Sequence, residues 1–201
     1  MKYIIEHMEE EIFPWCKLEY SHMAETVGSE NLIFTNLNEG DVDHMPANVK
    51  KENCYTKSVV ELGIPIEKIC LLDQEASSVM QTTDDKEYEY LLFGGILGDE
   101  ETIAMECLVP DRTSELRKFN FPTRHLGAAQ MTTDGAVLVS KIIVEDKVKF
   151  EDIEFVDHPE IKLGKMDSTI MPFRYVKNNA TGQPRMAPGM IDLLKEDQFE
   201  F

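Results

Sequence analysis

No two cysteines stand in a Cys-x-x-Cys pair, and no histidine lies at ligand spacing from Cys16, Cys54, Cys70 or Cys107. A structural zinc site is therefore not expected. Cys70, inside the apolar run Ile69-Cys70-Leu71-Leu72, reads as a buried reduced thiol, which suits a reducing compartment. Long apolar runs are also missing: Ile142-Ile143-Val144 is far short of the roughly 20 residues a membrane span requires. Met1-Lys2-Tyr3-Ile4-Ile5-Glu6 turns to charge after three apolar residues, so it reads as a strand and not as a secretory signal. A cytoplasmic protein with no membrane partner is expected. The chain has no G-x-G-x-x-G, no phosphate-loop G-K-[ST] and no G-x-S-x-G, which leaves dinucleotide, nucleotide-phosphate and serine-hydrolase readings without support. Bases are scarce as well. Twenty Lys and Arg against 38 Asp and Glu give a formal charge of -18. That balance opposes the counterion release that drives nucleic-acid binding, so a basic or neutral partner is expected and direct nucleic-acid contact is not. An acidic surface also serves solubility.

What is present is enough for one buried core: 201 residues, 42% hydrophobic. We expect a single domain over 1–201, with 177–201 as a C-terminal extension. β-Branched and aromatic runs at Tyr3 to Glu6, Asn31 to Phe34, Lys68 to Leu72 and Tyr88 to Phe93 alternate with helix-period stretches, the pattern of an α/β domain with a mainly parallel sheet. Trp15 to Val27 predicts a helix, with Pro14 at its start, Gly28 at its end, and Trp15, Leu18, His22 and Met23 on one face. Further helices are predicted at Thr56 to Leu62, Thr113 to Phe119, Thr133 to Asp146 and Pro188 to Lys195. Extended pieces are predicted near Pro122 to His125, Phe155-Val156 and Phe173 to Val176. Asn36 to Lys51 reads as loop.

Three stretches could carry chemistry. In the first, an apolar strand runs into Phe93-Gly94-Gly95-Ile96-Leu97-Gly98-Asp99, where glycines allow a ligand close approach to the backbone. A tight turn explains the same glycines equally well. In the second, Leu126-Gly127 and Gln130-Met131-Thr132-Thr133-Asp134 precede a helix that one of the hydroxyls or Asp134 should cap. Two such loops can wall opposite sides of a flat ring. The third is the acidic run Glu6, Glu9, Glu10 and Glu11 with His7 after the first strand. A solvated face is its commoner explanation, but its place at a strand's carboxyl end favours function.

Taken with Met1 to Glu10, Asp111-Arg112-Thr113, Phe150-Glu151-Asp152-Ile153 and Met171-Pro172-Phe173-Arg174-Tyr175-Val176, these blocks resemble, in order and over nearly the whole chain, the fungal SPOUT-class protein arginine methyltransferases that modify a small-subunit ribosomal protein. The resemblance implies a SPOUT-type mainly parallel sheet with helices on both faces and a C-terminal trefoil knot. It also implies S-adenosylmethionine as methyl donor, held by Phe93, Gly94, Gly95, Leu97, Gly98, Leu126, Gly127, Met131, Thr132 and Thr133. The implied partner is a basic ribosomal protein of the small subunit, and the implied state is a monomer. Glu100 to Pro110 is longer than the family's usual link, and His125 stands where a second base is usual.

Methyl transfer to a guanidinium needs carboxylates that orient the planar fork and accept a proton. Glu6, Glu9 and Asp99 are the catalytic candidates, and His7, Glu10 and Arg112 the substrate-binding ones. An RNA methyltransferase of the same class and a non-catalytic donor-binding assembly factor are the competing readings. The surplus of acids favours a basic protein substrate.

Overall fold

The structure, a computed structural model, describes residues 1–95, 113–164 and 167–196. Its centre is a strand run buried on both faces. β1 (Lys2–Glu6) and β4 (Tyr90–Gly94) pair in parallel with Ile4 opposite Leu92 and Ile5 opposite Phe93, and Tyr3, Ile4, Ile5, Leu91 and Leu92 are wholly buried. Burial on both sides is why these segments read as continuous apolar runs instead of alternating ones. β2 (Leu32–Thr35), β3 (Ile69–Leu72) and the short β5 (Thr123–Arg124) complete a five-stranded parallel sheet in the order β2-β1-β4-β3-β5.

The period of two along these strands divides the core. Tyr3, Ile5, Cys70, Leu72, Leu91 and Phe93 face α1 (Pro14–Val27) and α4 (Thr133–Val144). Ile4, Ile69, Leu71 and Leu92 face Val59, Leu116 of α3 (Thr113–Arg117) and Phe121 on the other side. The helix-covered mainly parallel sheet inferred from the sequence is thus observed. Most of Gly94 to Asp99, one of the three loops of the C-terminal knot that the resemblance implies, lies outside the described residues.

α1 starts on Pro14, which needs no N–H partner there, and ends at Gly28 with φ +80°. Its buried stripe is Trp15, Cys16, Glu19, Tyr20, Met23, Ala24 and Val27. Leu18 and His22, expected on the inner face, are only half-buried, so the stripe is rotated and carries an acid. Three other expectations change. The loop 36–51 contains a short helix α2 (Asp41–His44), the helix expected at Thr56 to Leu62 shrinks to one 3-10 turn at Val59–Glu61, and an unforeseen hairpin joins β7 (Glu160–Lys162) to β8 (Ser168–Ile170). Strands of three residues offer too few positions for alternation to show. β6 (Phe155–Asp157) pairs antiparallel with β9 (Arg174–Val176), and α5 (Met190–Glu196) brings the C-terminal residues back onto α1, burying Met190. None of the described helices is long and apolar enough to cross a membrane. Cys16, Cys54 and Cys70 are free thiols, and burial pushes those of Cys16 and Cys70 up to about 12, which keeps them unreactive.

Candidate active site

The carboxyl ends of β3 and β4 open into a cleft of about 320 Å³, within the size range of small-ligand sites and at the sheet edge where open parallel folds bind ligands. One wall is the end of β4, Phe93-Gly94-Gly95. Gly95 donates its N–H to the Glu6 carbonyl at 2.7 Å, prolonging the β1–β4 ladder by one bond. A Cβ at Gly95 would lie 2.6 Å from that carbonyl oxygen and 3.2 Å from the His7 Cα. No side chain fits, because the backbone of β1 and His7 fills the space it would take.

The facing wall is the loop from Leu126 to Thr133. Thr132 closes it by capping α4, its hydroxyl accepting from the Gly135 N–H at 3.3 Å. Gly127 sits at φ +83°, its N–H donating to His125 Nδ1 at 3.0 Å. The blocks Phe150 to Ile153 and Met171 to Val176 support this wall from behind: Arg174 donates its backbone N–H to Gln130 O at 2.7 Å and forks onto Asp157, and Phe150 packs beneath Gly127. Gly127→Ala would place a methyl 2.8 Å from the Phe150 ring in a left-handed backbone. We expect it to cost about 1–2 kcal/mol in a urea melt; an unchanged midpoint would show that this wall is not rigid.

The floor carries charge. Arg117 of α3 binds Asp73 with two N–H groups at 2.5 and 2.7 Å and reaches Glu75 at 3.2 Å. Burial raises the Asp73 carboxyl, but the bonds from Arg117 and the Glu75 N–H outweigh it and hold the group below its usual range. The stability Asp73 contributes is therefore present above its unfolded pKa and is lost as pH falls through the lowered folded value. Gln74 reaches across to Gln130 at 2.8 Å, tying the two loops together at the rim. Glu19 of α1, buried in the cleft wall, accepts from Trp15 Nε1 at 2.5 Å and from the Asp134 N–H at 3.3 Å. Burial and the adjacent Asp134 carboxylate push Glu19 well above the usual carboxylate range.

The structure brings together Phe93, Gly94, Gly95, Leu126, Gly127, Met131, Thr132 and Thr133 around this one cleft. Leu97, Gly98, Asp99 and Arg112 lie outside the described residues. Glu6 is buried beside the cleft, but its carboxylate turns to the other side, accepting from Thr35 Oγ1, from Ser58 Oγ at 2.5 Å and from the Val59 N–H at 2.9 Å. His7 is wholly buried and hydrogen-bonded to the Tyr20 hydroxyl at 2.7 Å, while burial lowers its pKa against the pull of Asp41. Glu9 is half-buried and Glu10 exposed, and neither lines the cleft. Residues that pattern reading passed over are Trp15, Glu19, Asp73, Glu75, Arg117 and Phe173. An acid on the apolar stripe of α1 was the one signal available for Glu19.

A helix-covered parallel sheet with a glycine-walled cleft at its carboxyl edge is the architecture of a SPOUT-class methyltransferase. Residues 2–200 match the family described as protein arginine N-methyltransferase SFM1-like, and the chain belongs to that family. It is 40% identical to the protein arginine N-methyltransferase SFM1 of Saccharomyces cerevisiae over 98% of this chain and 95% of that protein. The structure of yeast SFM1 complexed with SAM superposes with TM-score 0.83 at 38% identity, covering 98% of this chain and 90% of that one. The SAH complex gives 0.82 at 37%, covering 96% and 94%.

Proposed function

We propose that this chain transfers a methyl group from S-adenosylmethionine to an arginine of a basic protein, in the cytoplasm, with a small-subunit ribosomal protein as substrate. The observation that carries the proposal is the cleft between Gly94-Gly95 and Leu126 to Thr133, with the carboxylates of Asp73 and Glu75 at its floor, in a chain of this family. Its residues fit the donor: Phe93, Leu126 and Met131 offer apolar surface to an adenine ring, and the backbone of Gly94, Gly95 and Gly127 lines the same cleft. Leu97 and Gly98 would extend the first wall. When bound, the donor supplies an electrophilic methyl and a neutral thioether leaving group.

The protein's part is positioning and charge. Glu9 and Asp99 would grip the acceptor's planar fork and take up the proton it loses, with Glu10 and Arg112 shaping the approach, while His7, buried against Tyr20, would act only by holding the chain after β1. Glu6 would act through others: its carbonyl fixes Gly95 while its carboxylate ties β1 to Thr35 and Ser58. Asp73 and Glu75 add negative charge that offsets repulsion between two cations, with Arg117 as their counterion. Glu9→Ala should bind donor as the parent does and lose transfer by roughly 10²–10⁴-fold; parental turnover would remove Glu9 from the mechanism.

Incubation with methyl-labelled S-adenosylmethionine and separated ribosomal proteins and RNA tests the substrate. Label should enter an arginine of one basic small-subunit protein. Label confined to RNA would overturn the proposal.

A further inference from the structure

Glu19 is 1% exposed, lies in the wall of the cleft and has no cation beside it. Its two oxygens accept neutral N–H donors, Trp15 Nε1 and the backbone of Asp134 and Thr133, and among the described residues no Lys or Arg pairs with it. The N–H groups of Thr133 and Asp134, at the start of α4, bring partial positive charge, but no group around it carries a full one. Cys16 and Tyr20 flank it on α1, Asp134 faces it from α4 with its far oxygen on His22 at 2.7 Å, and Tyr175 approaches from β9 with a hydroxyl that has no partner among the described residues. The nearest guanidinium in the cleft, Arg117, is committed to Asp73 and Glu75. An ionised carboxylate so placed is costly until a cation arrives.

We propose that Glu19 is a proton-coupled sensor of charge in the cleft: it keeps its proton while the cleft holds no cation, and gives it to solvent when a sulfonium is seated. Resting on the donor assignment above, this makes the charged donor preferred over its neutral thioether product, a bias that favours exchange after each turnover. The sign follows from linkage. Burial and Asp134 favour the neutral acid and outweigh the N–H groups of Trp15, Asp134 and Thr133, so ionised Glu19 becomes more available as pH rises, and sulfonium affinity rises with it. The limit is about tenfold per pH unit, above the ordinary carboxylate value and below the raised one, with no such slope for the thioether.

Calorimetry of the full chain with S-adenosylmethionine and with S-adenosylhomocysteine, each in phosphate and in Tris, reads the proton directly. We expect close to one proton released per donor and none per product, with the release lost in Glu19→Gln, which should bind the product like the parent. Should that variant fail to fold, the parent's donor-to-product affinity ratio between about pH 5 and 7 serves instead, because the amino and carboxyl groups common to both ligands barely titrate there. A rising ratio supports the proposal and a flat one overturns it. Both ligands bound with equal proton release would overturn the role of Glu19 alone. No heat from either would overturn the donor assignment and this proposal with it.

Discussion

Gly95→Ala is expected to weaken nucleoside binding by roughly 100-fold, the largest effect of any single methyl group in the protein. The added Cβ would meet the Glu6 carbonyl oxygen at 2.6 Å and the His7 Cα at 3.2 Å, and both are backbone atoms of the central strand and its extension. Neither can swing aside as a side-chain tip would. Relief has to come from moving the end of β4 away from β1, which breaks the 2.7 Å bond from Gly95 N–H to Glu6 O and shifts the wall of the cleft. Overpacking of this kind costs about 1–3 kcal/mol. A urea melt should show a loss of that size, and titration with S-adenosylhomocysteine the roughly 100-fold weakening, about 2.7 kcal/mol. Parental affinity in a folded variant would mean that this wall does not meet the ligand.

Phe34→Ala should cost about 3–5 kcal/mol of stability, the largest loss we expect from a core truncation here. Phe34 is wholly buried in β2, its ring centroid 4.5 Å from that of Tyr20, whose hydroxyl meets His7 Nδ1. Removing the ring therefore opens a cavity and releases the residue that holds the imidazole beyond β1. Two readouts should move together: the urea midpoint falls, and the His7 resonance titrates closer to its ordinary pKa because the desolvation that lowers it is relieved. A drop below about 1 kcal/mol would show that the β2 edge repacks easily.

The sequence made the sheet legible because β1, β3 and β4 are buried on both faces and so stand out as unbroken apolar runs. The strand order was not legible, since Gly95 meeting Glu6 depends on β4 inserting between β1 and β3. Among candidate site residues, the glycines and the Gln130 to Thr133 block stood out because close packing of backbone demands small residues and a cap demands a hydroxyl, and the structure gathers them around one cleft. Acids were the hard part. Glu6 opens an acidic run and Glu19 stands alone between Leu18 and Tyr20, so the sequence pointed to the first as the functional acid. Yet the first turns to Thr35, Ser58 and Val59 on one side of the sheet, and the second turns into the cleft. Glu6 is oriented by Thr35 Oγ1, 29 residues away, and Glu19 by Trp15 one helical turn earlier together with the Asp134 N–H, 115 residues away, so local pattern carries at most part of that information. Arg117 poses the same problem, its guanidinium being bound by Asp73, 44 residues earlier.

The central claim is that one cleft, between the end of β4 and the loop before α4, holds the methyl donor. A crystal structure of this chain grown with S-adenosylhomocysteine tests it most directly. The adenosyl group should lie between Gly94-Gly95 and Leu126 to Thr133, with Glu19 in the wall beside it. A well-ordered nucleoside bound anywhere else, with these two loops touching nothing, would contradict the account.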